Sequence, residues 1–534
     1  MDRRDFIKIA GASVPFALAP STSHAIWGTV AQYRQAVPEI FQNVPRPPAY
    51  TPALVIGSGF GGAITALRLA QAGIQTTVLE RGFRWPISAR RQTFSTDMFP
   101  DGRGYWYRTS FKQLTGLTSF MDSFGGVFDC VDYDNISVWR GACVGGGSVV
   151  FTGVMIQPER RYFDAIFNGL VNYDELDRVY YPRVRQMLRL SPMPNDVYQS
   201  APFGHSRIWD THTRKAGYTP VGNDSIFNWD VVRGELKGGY RPSATLGESN
   251  LGNSDGAKFD LTQNYLKLAE QTGKATVYPA HEVKNVYFDG TRYSVDVIKR
   301  SPDGKQLDRY SVTCDKLFLA AGSIGTSEIL VRARALNHIP NLNEHVGEGW
   351  GTNGDVSAVR TFGALKGLTQ GSPSASRITD ASGMPTTLEN WYVPSLSVNL
   401  GMNASLGMVF DQKNRASFRY DGSRDRVNLL WPKNGNDDAI AAVRSVNNRI
   451  AAASGTIPGA WPFAPDCSAS WTAHPLGGAV LGRATDAWGR VIGPKHLYVM
   501  DGAMIPGTTG AVNPSLTISA LAERNIEAIL KQDF

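Results

Sequence analysis

The feature that most constrains this chain is a strand, a glycine-rich turn, a helix and a second strand that follow one another within residues 53–80. The apolar run Ala53–Ile56 is typical of a buried parallel strand, and glycines spaced as G-x-G-x-x-G follow it. The composition of Ala63–Ala72 favours a helix, and Thr76–Leu79 predicts a second strand that ends at Glu80. A glycine triplet alone is a weak signal, but this order of elements predicts a dinucleotide-binding βαβ unit.

Each glycine of the turn has its own task in such a unit. Gly57 permits the tight turn, Gly59 lets the backbone approach a pyrophosphate, and Gly62 lets the helix pack closely on the strand. The start of the helix then offers unpaired N–H groups to the phosphates. Glu80 can accept hydrogen bonds from ribose hydroxyls and would repel a 2′-phosphate. This disfavours NADP and leaves NAD or the ADP half of FAD.

Two distant segments are predicted to complete the same sheet. Leu317–Ala320 and Leu497–Met500 are short apolar strands, and each is followed by a glycine-containing turn and a helix, the first from about Gly325. A nucleotide-binding domain that is assembled from separate parts of the chain is more typical of flavoproteins than of nicotinamide-dependent dehydrogenases.

The expected fold class is therefore α/β, with a Rossmann-like domain built from discontinuous segments and an inserted α+β domain of antiparallel sheet and helices. The Rossmann-like domain is expected to comprise residues 48–104, 251–350 and 465–534. The substrate-binding domain and lid are expected to comprise residues 105–250 and 351–464.

The last helix has an unusual start in the sequence GAVNPSLT. Asn513 is predicted to be its N-cap and Pro514 its first residue, the position that tolerates proline best. Capping alone would explain both residues. Alternatively, the positive end of this helix could face a flavin ring and stabilise its anionic reduced form. Spacing alone leaves the two interpretations even.

His474 stands in the stretch SWTAHPLGGA and is one of eight histidines in 534 residues. A single imidazole among apolar neighbours is more often a packed, hydrogen-bonded core residue than a catalyst. From its immediate neighbours alone, the core interpretation is favoured.

The first residues match a twin-arginine export signal. Arg3 and Arg4 precede the moderately apolar run Ile9–Ala19, and small residues around Ala25 predict cleavage there, so residues 1–25 are expected to be a signal peptide. An amphipathic helix or an uncut anchor are the alternatives. This apolar run is too short for a transmembrane helix, which needs about 20 residues. We expect a periplasmic or secreted protein.

The composition is that of a globular protein, with 42% hydrophobic and 19% charged residues and a net charge of +7. The positive charges are scattered in short pairs, which gives little support to nucleic-acid binding. Weak, transient contact with an anionic membrane surface remains open. No metal site is expected.

Four cysteines are widely spaced along the chain, with no C-x-x-C pair or zinc-like grouping: Cys130, Cys143, Cys314 and Cys467. We expect no essential disulfide, because Cys314 lies in a strand-like run and is better explained as a small buried apolar residue.

Together, several segments resemble the glucose–methanol–choline (GMC) oxidoreductases. They are the glycine motif with Glu80, RGACVGGGSVV at Arg140–Val150, the run from AGSIGTSEIL to GWGTNG, and the end from HPLGG to NPSLTISALAERN. Within that family the sequence is most similar to bacterial cholesterol oxidases that hold FAD noncovalently. The sequence matches this family closely in the segments expected to bind the cofactor and only weakly in the two insertions, residues 105–250 and 351–464.

The resemblance implies catalytic roles for three residues. His474 matches the histidine that hydrogen-bonds the substrate hydroxyl and helps to deprotonate it. Asn513 matches the asparagine that contacts flavin and substrate oxygen, and Glu389, in TTLENWYVP, matches the carboxylate that moves a proton from C4 to C6 of the steroid. The residues implied to bind the cofactor are Gly57, Gly59, Gly62, Glu80, Gly145, Gly146, Gly147, Ser148, Asp501, Gly502, Asn513 and Pro514.

Phe151 departs from the family pattern, which continues after Gly-Gly-Gly-Ser through an asparagine-glycine step. An apolar ring in place of an amide puts oxygen reactivity in doubt, so a quinone or cytochrome is the alternative electron acceptor. No histidine stands near this loop, so a histidyl–FAD bond is not expected.

The expected function is an FAD-dependent oxidase that converts a 3β-hydroxysteroid to the ketone, reduces O2 to H2O2 and moves the 5-ene to the 4-ene position. A GMC dehydrogenase acting on another apolar alcohol, or a flavin-loaded lipid-binding protein without turnover, are the alternatives. Trp391, Tyr392 and Phe410 in the second insertion suit a sterol pocket and an ordinary core equally well.

Overall fold

A computed structural model describes residues 28–112, 118–367, 369–393, 399–459 and 470–534. The expected signal peptide and Cys467 lie outside these residues. Cys130, Cys143 and Cys314 are free thiols in the structure. Within the described ranges, no helix combines the length and the apolar character needed to cross a bilayer.

The strands, in chain order, are β1 (Tyr50–Ile56), β2 (Thr76–Leu79), β3 (Ser110–Lys112), β4 (Thr118–Phe120), β5 (Phe128–Tyr133), β6 (Ile136–Gly141), β7 (Val221–Gly222), β8 (Ala275–Tyr278), β9 (His281–Phe288), β10 (Tyr293–Arg300), β11 (Gln306–Leu319), β12 (Val356–Thr361), β13 (Ser376–Asp380), β14 (Thr386–Trp391), β15 (Asn403–Val409), β16 (Ser417–Asp421), β17 (Arg426–Leu430), β18 (Ile457–Pro458), β19 (Trp471–Thr472) and β20 (Leu497–Val499).

The α-helices are α1 (Val30–Ala36), α2 (Phe60–Gln71), α3 (Gly147–Val150), α4 (Arg160–Phe167), α5 (Tyr173–Glu175), α6 (Tyr181–Leu188), α7 (Asn195–Tyr198), α8 (Gly204–Lys215), α9 (Trp229–Leu236), α10 (Tyr265–Gln271), α11 (Gly322–Ala335), α12 (Asp437–Ser454) and α13 (Ser515–Gln532). Short 3₁₀ turns occupy Pro38–Phe41, Ala201–Phe203, Ala244–Leu246 and Gly502–Met504, and a π turn occupies Leu176–Tyr180.

The first sheet has the order β8-β2-β1-β11-β10-β9, and β20 also pairs with β11. The pairs β2–β8, β1–β2, β1–β11 and β11–β20 are parallel, whereas β9, β10 and β11 pair antiparallel. Ile56 lies opposite both Leu79 and Leu319, so the carboxyl ends of these strands meet at one edge. That edge is where a ligand binds in sheets of this type.

The α/β fold class predicted from the sequence is confirmed, and the element bounds differ in physically simple ways. Thr76–Leu79 is the strand predicted. The helix after the glycine motif begins at Phe60, not Ala63, because Gly59 occupies its N-cap. Strand β11 is much longer than the predicted Leu317–Ala320, because its first half pairs with β10 outside the parallel core.

The second sheet is antiparallel and has the order β18-β12-β15-β14-β13-β7. Helices α8 and α12 pack against it, and Trp209, Leu388 and Val443 belong to the core between them. Every residue of β14 and of β15 is buried, so both faces of these central strands are covered. The predicted division into domains remains a prediction.

A third, small sheet joins the two larger parts. Strand β19 pairs in parallel with β6, which pairs antiparallel with β5. Because β6 leads directly into Gly141–Gly147 and β19 leads directly into His474, this sheet brings the second glycine loop and the histidine into one region.

Candidate active site

A cavity of about 480 Å³ lies between the carboxyl edge of the first sheet and one face of the second. At one end it is lined by Gly57, Glu80 and Gly146, and at the other by His474 and Asn513. Ligand cavities of drug-sized and cofactor-sized molecules fall in the range of about 300–1,000 Å³.

The first glycine turn is shaped by close backbone contacts. Gly57 has φ +96°, and a Cβ there would lie 2.2 Å from the carbonyl oxygen of Ala320. A Cβ at Gly62 would lie 2.0 Å from the Gly57 carbonyl oxygen, whereas one at Gly59 would meet no atom within 4 Å. Gly59 therefore borders open space in the cavity, where a phosphate can approach its backbone. Gly62 does not line the cavity.

Glu80 connects the two glycine loops. Its Oε2 accepts hydrogen bonds from the backbone N–H (3.1 Å) and the hydroxyl (2.8 Å) of Ser58, and its Oε1 accepts one from Gly82 N–H (2.9 Å). The Ser58 hydroxyl in turn accepts a hydrogen bond from Gly145 N–H (3.1 Å). Glu80 Oε1, which among the described residues accepts only the bond from Gly82, keeps a lone pair for a ribose hydroxyl.

The second glycine loop closes against the first. Gly145 and Gly146 have φ +96° and +52°, and a Cβ at Gly146 would lie 2.8 Å from the Cα of Gly59. Gly147 lines the cavity. Ser148 does not, because it is fully buried beneath the loop, donating to Gly145 O (2.8 Å) and accepting from Leu261 N–H (3.1 Å). Its role in the structure is to fix the loop.

Asp501 fixes the turns at the edge of the first sheet. Its Oδ2 accepts hydrogen bonds from Gly322 N–H (2.9 Å) and the Thr326 hydroxyl (2.5 Å), and its Oδ1 accepts one from Ala503 N–H (2.8 Å). Burial outweighs these bonds and raises the pKa of Asp501 to about 6. Asp501 and Gly502 both line the cavity.

His474 is held by the fully buried carboxylate of Asp355. The Nδ1 atom of His474 lies 2.8 Å from Asp355 Oδ1. Asp355 Oδ2 accepts hydrogen bonds from Thr472 Oγ1 (2.9 Å), Ala473 N–H (3.0 Å) and His474 N–H (3.1 Å). Burial alone would lower the pKa of His474, but Asp355 and, more weakly, Glu389 reverse this and raise it above its ordinary value.

Glu389 lies in the middle of β14 and is fully buried, not at the surface. Neither of its oxygens has a hydrogen-bond partner in the described part of the chain. Burial raises the pKa of Glu389 to about 7, although His474, Arg377 and the nearby Asn513 amide act in the opposite direction. Its strand neighbour Trp391 and its cross-strand partner Leu406 both line the cavity, and the alternation of side chains places Glu389 on that face.

The predicted cap of the last helix is wrong. Helix α13 begins at Ser515 with Pro514 at its N-cap, and no side chain caps it. The loop is held instead by Asn353, whose Nδ2 donates to Val512 O (2.8 Å). The amide of Asn513 is therefore not used for capping: it is buried, it lines the cavity, and its Oδ1 has no hydrogen-bond partner among the described residues.

Phe151 follows the short helix α3 and also lines the cavity. Its ring meets Phe60 edge-on with centroids 5.6 Å apart. Its carbonyl oxygen accepts hydrogen bonds from the Ser249 hydroxyl (2.9 Å) and from the fully buried Lys258 ammonium (2.8 Å). The ring is thus fixed in position beside the glycine loop.

Aromatic rings form one wall of the cavity. Trp471 stacks on Trp139 with centroids 4.6 Å apart and on Trp391 with centroids 6.3 Å apart. Tyr392 points elsewhere and donates its hydroxyl to Asp97 (2.9 Å), and Phe410 packs on Tyr162. Only Trp391 of the three aromatic residues noted in the second insertion lines the cavity.

Asp355 is the functional residue that the sequence reasoning missed. It stands 119 positions before His474, and no local spacing rule connects the two. The only signal in the sequence was a carboxylate in the glycine-rich run WGTNGD, where a polar turn is the ordinary interpretation.

Comparison with known proteins defines the class. The N-terminal model of the GMC oxidoreductases matches residues 119–348 and the C-terminal model matches residues 417–522. The chain belongs to the GMC oxidoreductases, a family of FAD-binding flavoenzymes, as the sequence motifs predicted.

Among individual relatives, a cholesterol oxidase of Mycobacterium tuberculosis is 28% identical, with 88% of this chain and 89% of the relative covered. A cholesterol oxidase of Acinetobacter baumannii is 25% identical, with 89% and 94% covered. Among solved structures, pyridoxine 4-oxidase from Mesorbium loti has a TM-score of 0.59 at 14% identity, covering 90% of this chain and 99% of that one. At that identity the structural likeness concerns the fold alone.

The residues present fit FAD. The open side of Gly59 and the neighbouring Gly146 can form a backbone cradle for a diphosphate, and Glu80 Oε1 retains acceptor capacity for a ribose. At the other end of the cavity, Asn513 in the lining and Glu389 on the same strand face as Trp391 hold buried polar atoms that have no partners among the described residues. Such atoms are costly unless a ligand satisfies them, so this end suits the reacting part of a cofactor and its substrate.

Proposed function

We propose that this GMC oxidoreductase is an oxidase of 3β-hydroxysteroids. It converts the 3-hydroxyl to a ketone, passes the electrons to O2 to form H2O2, and then moves a 5,6 double bond to the 4,5 position. The observation that carries the proposal is that His474, held by Asp355, lies beside an aromatic wall together with Glu389 and Asn513. Both Glu389 oxygens and Asn513 Oδ1 are buried and have no hydrogen-bond partner among the described residues. The cholesterol oxidases among the relatives support the choice of substrate.

The oxidation needs a base for the substrate hydroxyl. With Nδ1 bonded to Asp355, the Nε2 atom of His474 is the ring nitrogen left to take the hydroxyl proton, and the Asp355 carboxylate then stabilises the imidazolium. The Asn513 amide orients the substrate oxygen. Bound at the glycine turns and Glu80, FAD would supply the acceptor for the hydride that leaves the carbinol carbon, so that the alcohol is oxidised to the ketone.

The isomerisation needs one group that takes a proton from C4 and returns it to C6. The new 3-ketone makes the C4 protons acidic, because the dienolate that forms is conjugated. Burial raises the pKa of Glu389 to about 7, so that near neutral pH both its charged and its neutral form are populated. One carboxyl group can therefore serve as base and then as acid.

A screen of alcohols tests the proposal. The purified protein is mixed under nitrogen with 5-ene-3β-hydroxysteroids, linear fatty alcohols and aryl alcohols, and the loss of the flavin absorbance is followed; peroxide is measured in air. We expect hydroxysteroids to bleach the flavin fastest and to yield peroxide. Bleaching by aryl or linear alcohols but not by steroids would contradict the steroid assignment.

A second acceptor is a specific alternative, because Phe151 places an apolar ring at the cavity. If the ring obstructs the reaction with O2, the reduced enzyme should persist in air yet be reoxidised rapidly by a quinone or by cytochrome c. Replacement of Phe151 by Asn should then raise the rate of reoxidation by O2, measured as the return of flavin absorbance.

We further propose export by the twin-arginine route, supported by Arg3-Arg4 and the apolar run after them. This route carries folded proteins, which suits an enzyme that loads FAD in the cytoplasm. Replacement of both arginines by lysine should leave the flavoprotein inside the cell, measured by fractionation. Unchanged export of that variant would contradict the proposal.

A further inference from the structure

We infer that Asp355 is a positioning residue that fixes the tautomer of His474 and raises its basicity. This inference rests on the proposed alcohol oxidation. The observation behind it is that the fully buried Asp355 contacts His474 twice. Its Oδ1 lies 2.8 Å from His474 Nδ1, and its Oδ2 lies 3.1 Å from the backbone nitrogen of His474.

Asp355 is surrounded by hydrogen-bond donors in spite of its burial. It accepts four hydrogen bonds, and the donors other than the imidazole are Thr472 Oγ1, Ala473 N–H and His474 N–H. The three donors beside the imidazole also fix the direction in which the carboxylate faces.

An ionised carboxylate can only accept hydrogen bonds. The proton of a neutral His474 must therefore sit on Nδ1, and Nε2 must carry the lone pair. Because the two ring nitrogens are inequivalent and one tautomer alone presents a base, this contact determines whether His474 can deprotonate an alcohol. Of the two ring nitrogens of His474, only Nδ1 has a hydrogen-bond partner among the described residues, and His474 lines the cavity.

Two carboxyl groups act on the imidazole from different elements. Asp355 precedes β12 and contacts the ring directly, whereas Glu389 acts from β14 at longer range. Arg377, the cross-strand partner of Glu389 on β13, acts on Glu389. Removing the charge of Asp355 should therefore lower the pKa of His474, while the smaller influence of Glu389 remains.

The test is the pH dependence of flavin reduction in Asp355→Asn. We expect the maximal rate constant to fall by about 10²–10⁴-fold, the order of magnitude expected for a mispositioned base. We also expect the acid limb of the profile to move to lower pH, with KM nearly unchanged. Asp411→Asn is the matched control: Asp411 is a buried aspartate that accepts from Lys413 N–H (2.8 Å) outside the cavity, and this variant should keep both values.

A second readout needs no turnover. Melting temperatures of the wild type, Asp355→Asn, His474→Gln and the double variant form a cycle, measured at pH 5.5 and pH 9. A histidine whose pKa is raised in the folded state stabilises it most where the ring is protonated, and this contribution is lost as pH rises through the folded pKa. The coupling should therefore be larger at pH 5.5.

The outcomes separate the inference from the proposed function. A wild type that no alcohol reduces defeats the proposed function, while the cycle still reports on the pair. A wild type that is reduced, together with an Asp355→Asn variant that keeps its maximal rate and its acid limb, overturns the inference. A lowered rate with an unmoved acid limb and no pH-dependent coupling also overturns it, since Asp355 would then only hold the turn before His474.

Discussion

The site combines a histidine that is hydrogen-bonded through Nδ1 with two side chains that hold buried oxygens without close partners among the described residues. His474 is anchored through Nδ1 on Asp355, whereas the carboxylate of Glu389 and the amide oxygen of Asn513 are buried without partners among the described residues. A hydrogen bond from a substrate to these oxygens is especially favourable, because the oxygens have already lost their water when the protein folded.

The first prediction concerns His474. His474→Ala should fold and bind FAD, because the ring contributes one hydrogen bond to the fold, but it should lose about 10²–10⁴-fold in the rate of flavin reduction. Rapid mixing under nitrogen measures this rate. His345→Ala, which removes an imidazole paired with Glu348 outside the cavity, is the control. A near-wild-type rate in His474→Ala would make His474 a core residue only.

The second prediction concerns Glu389. Glu389→Gln should still be reduced by a 5-ene-3β-hydroxysteroid but should accumulate the unconjugated 5-en-3-one, because an amide cannot carry the C4 proton. In the wild type, isomerisation should increase as pH rises through about 7, where the raised pKa of Glu389 places its charged form. Enone absorbance followed alongside flavin absorbance measures both steps. Conjugated product at the wild-type rate would exclude Glu389 as the base.

At the scale of the elements, the parallel strands were predictable and the site strand was not. Strand β1 ends in the apolar run Ala53–Ile56, and β2 is a short run of β-branched and apolar residues. Both runs are buried, and such runs can be recognised in a sequence. Strand β14 reads TTLENW and is equally buried, but its polar residues make it resemble a surface strand. Its burial depends on helices α8 and α12 on one side and the cavity on the other, which no local pattern records.

The start of α13 shows a different limit. Asn-Pro before a helix predicts a cap, and local chemistry favours it. In the structure Asn353, more than a hundred residues earlier in the chain, holds this loop and leaves Asn513 facing the cavity. The pairing of His474 with Asp355 depends in the same way on the strands β12, β19 and β6, which bring distant parts of the chain together.

The third prediction uses two glycines of one turn. Gly59→Ala should leave the stability of the protein without FAD nearly unchanged, because its Cβ meets no atom within 4 Å, and should weaken FAD binding. Gly57→Ala, by contrast, should also lower the stability of the protein without FAD, because φ at Gly57 is +96° and the new Cβ would lie 2.2 Å from a backbone oxygen. Gly217→Ala shares the positive φ without a clash and is the control for backbone strain.

Melting temperatures and FAD titrations measure the two effects of these substitutions separately. Equal losses of stability in Gly57→Ala and Gly217→Ala would show that the contact with Ala320 contributes nothing, and unchanged FAD affinity in Gly59→Ala would contradict the position given to the diphosphate.

At the scale of the whole molecule, the cavity exists because two sheets of different kinds meet. The first supplies the glycine turns and Glu80 at its carboxyl edge, and the second supplies Trp391 and Leu406 from an antiparallel face, which is also the face on which Glu389 lies. The α/β fold class followed from the sequence, because the strand, turn and helix pattern of the nucleotide segments is local. The distances between the groups did not follow, because they depend on long-range packing between the sheets.

The fourth prediction concerns attachment of the cofactor. The histidines that line the cavity within the described residues are His281, next to the Glu80 end, and His474. The glycine loop that approaches the cofactor contains none, so FAD should be held without a covalent bond. Acid precipitation should leave a yellow supernatant and a colourless pellet. Flavin that stays with the denatured chain would contradict this expectation.

The most direct test of the central claim is a single turnover under nitrogen. One equivalent of a 5-ene-3β-hydroxysteroid is added per FAD, and the flavin band and the conjugated enone band are recorded together. We expect complete bleaching of the flavin and one equivalent of 4-en-3-one, with return of the flavin band when an acceptor is admitted. A flavin that stays oxidised with the steroid but is bleached by a small primary alcohol would contradict it.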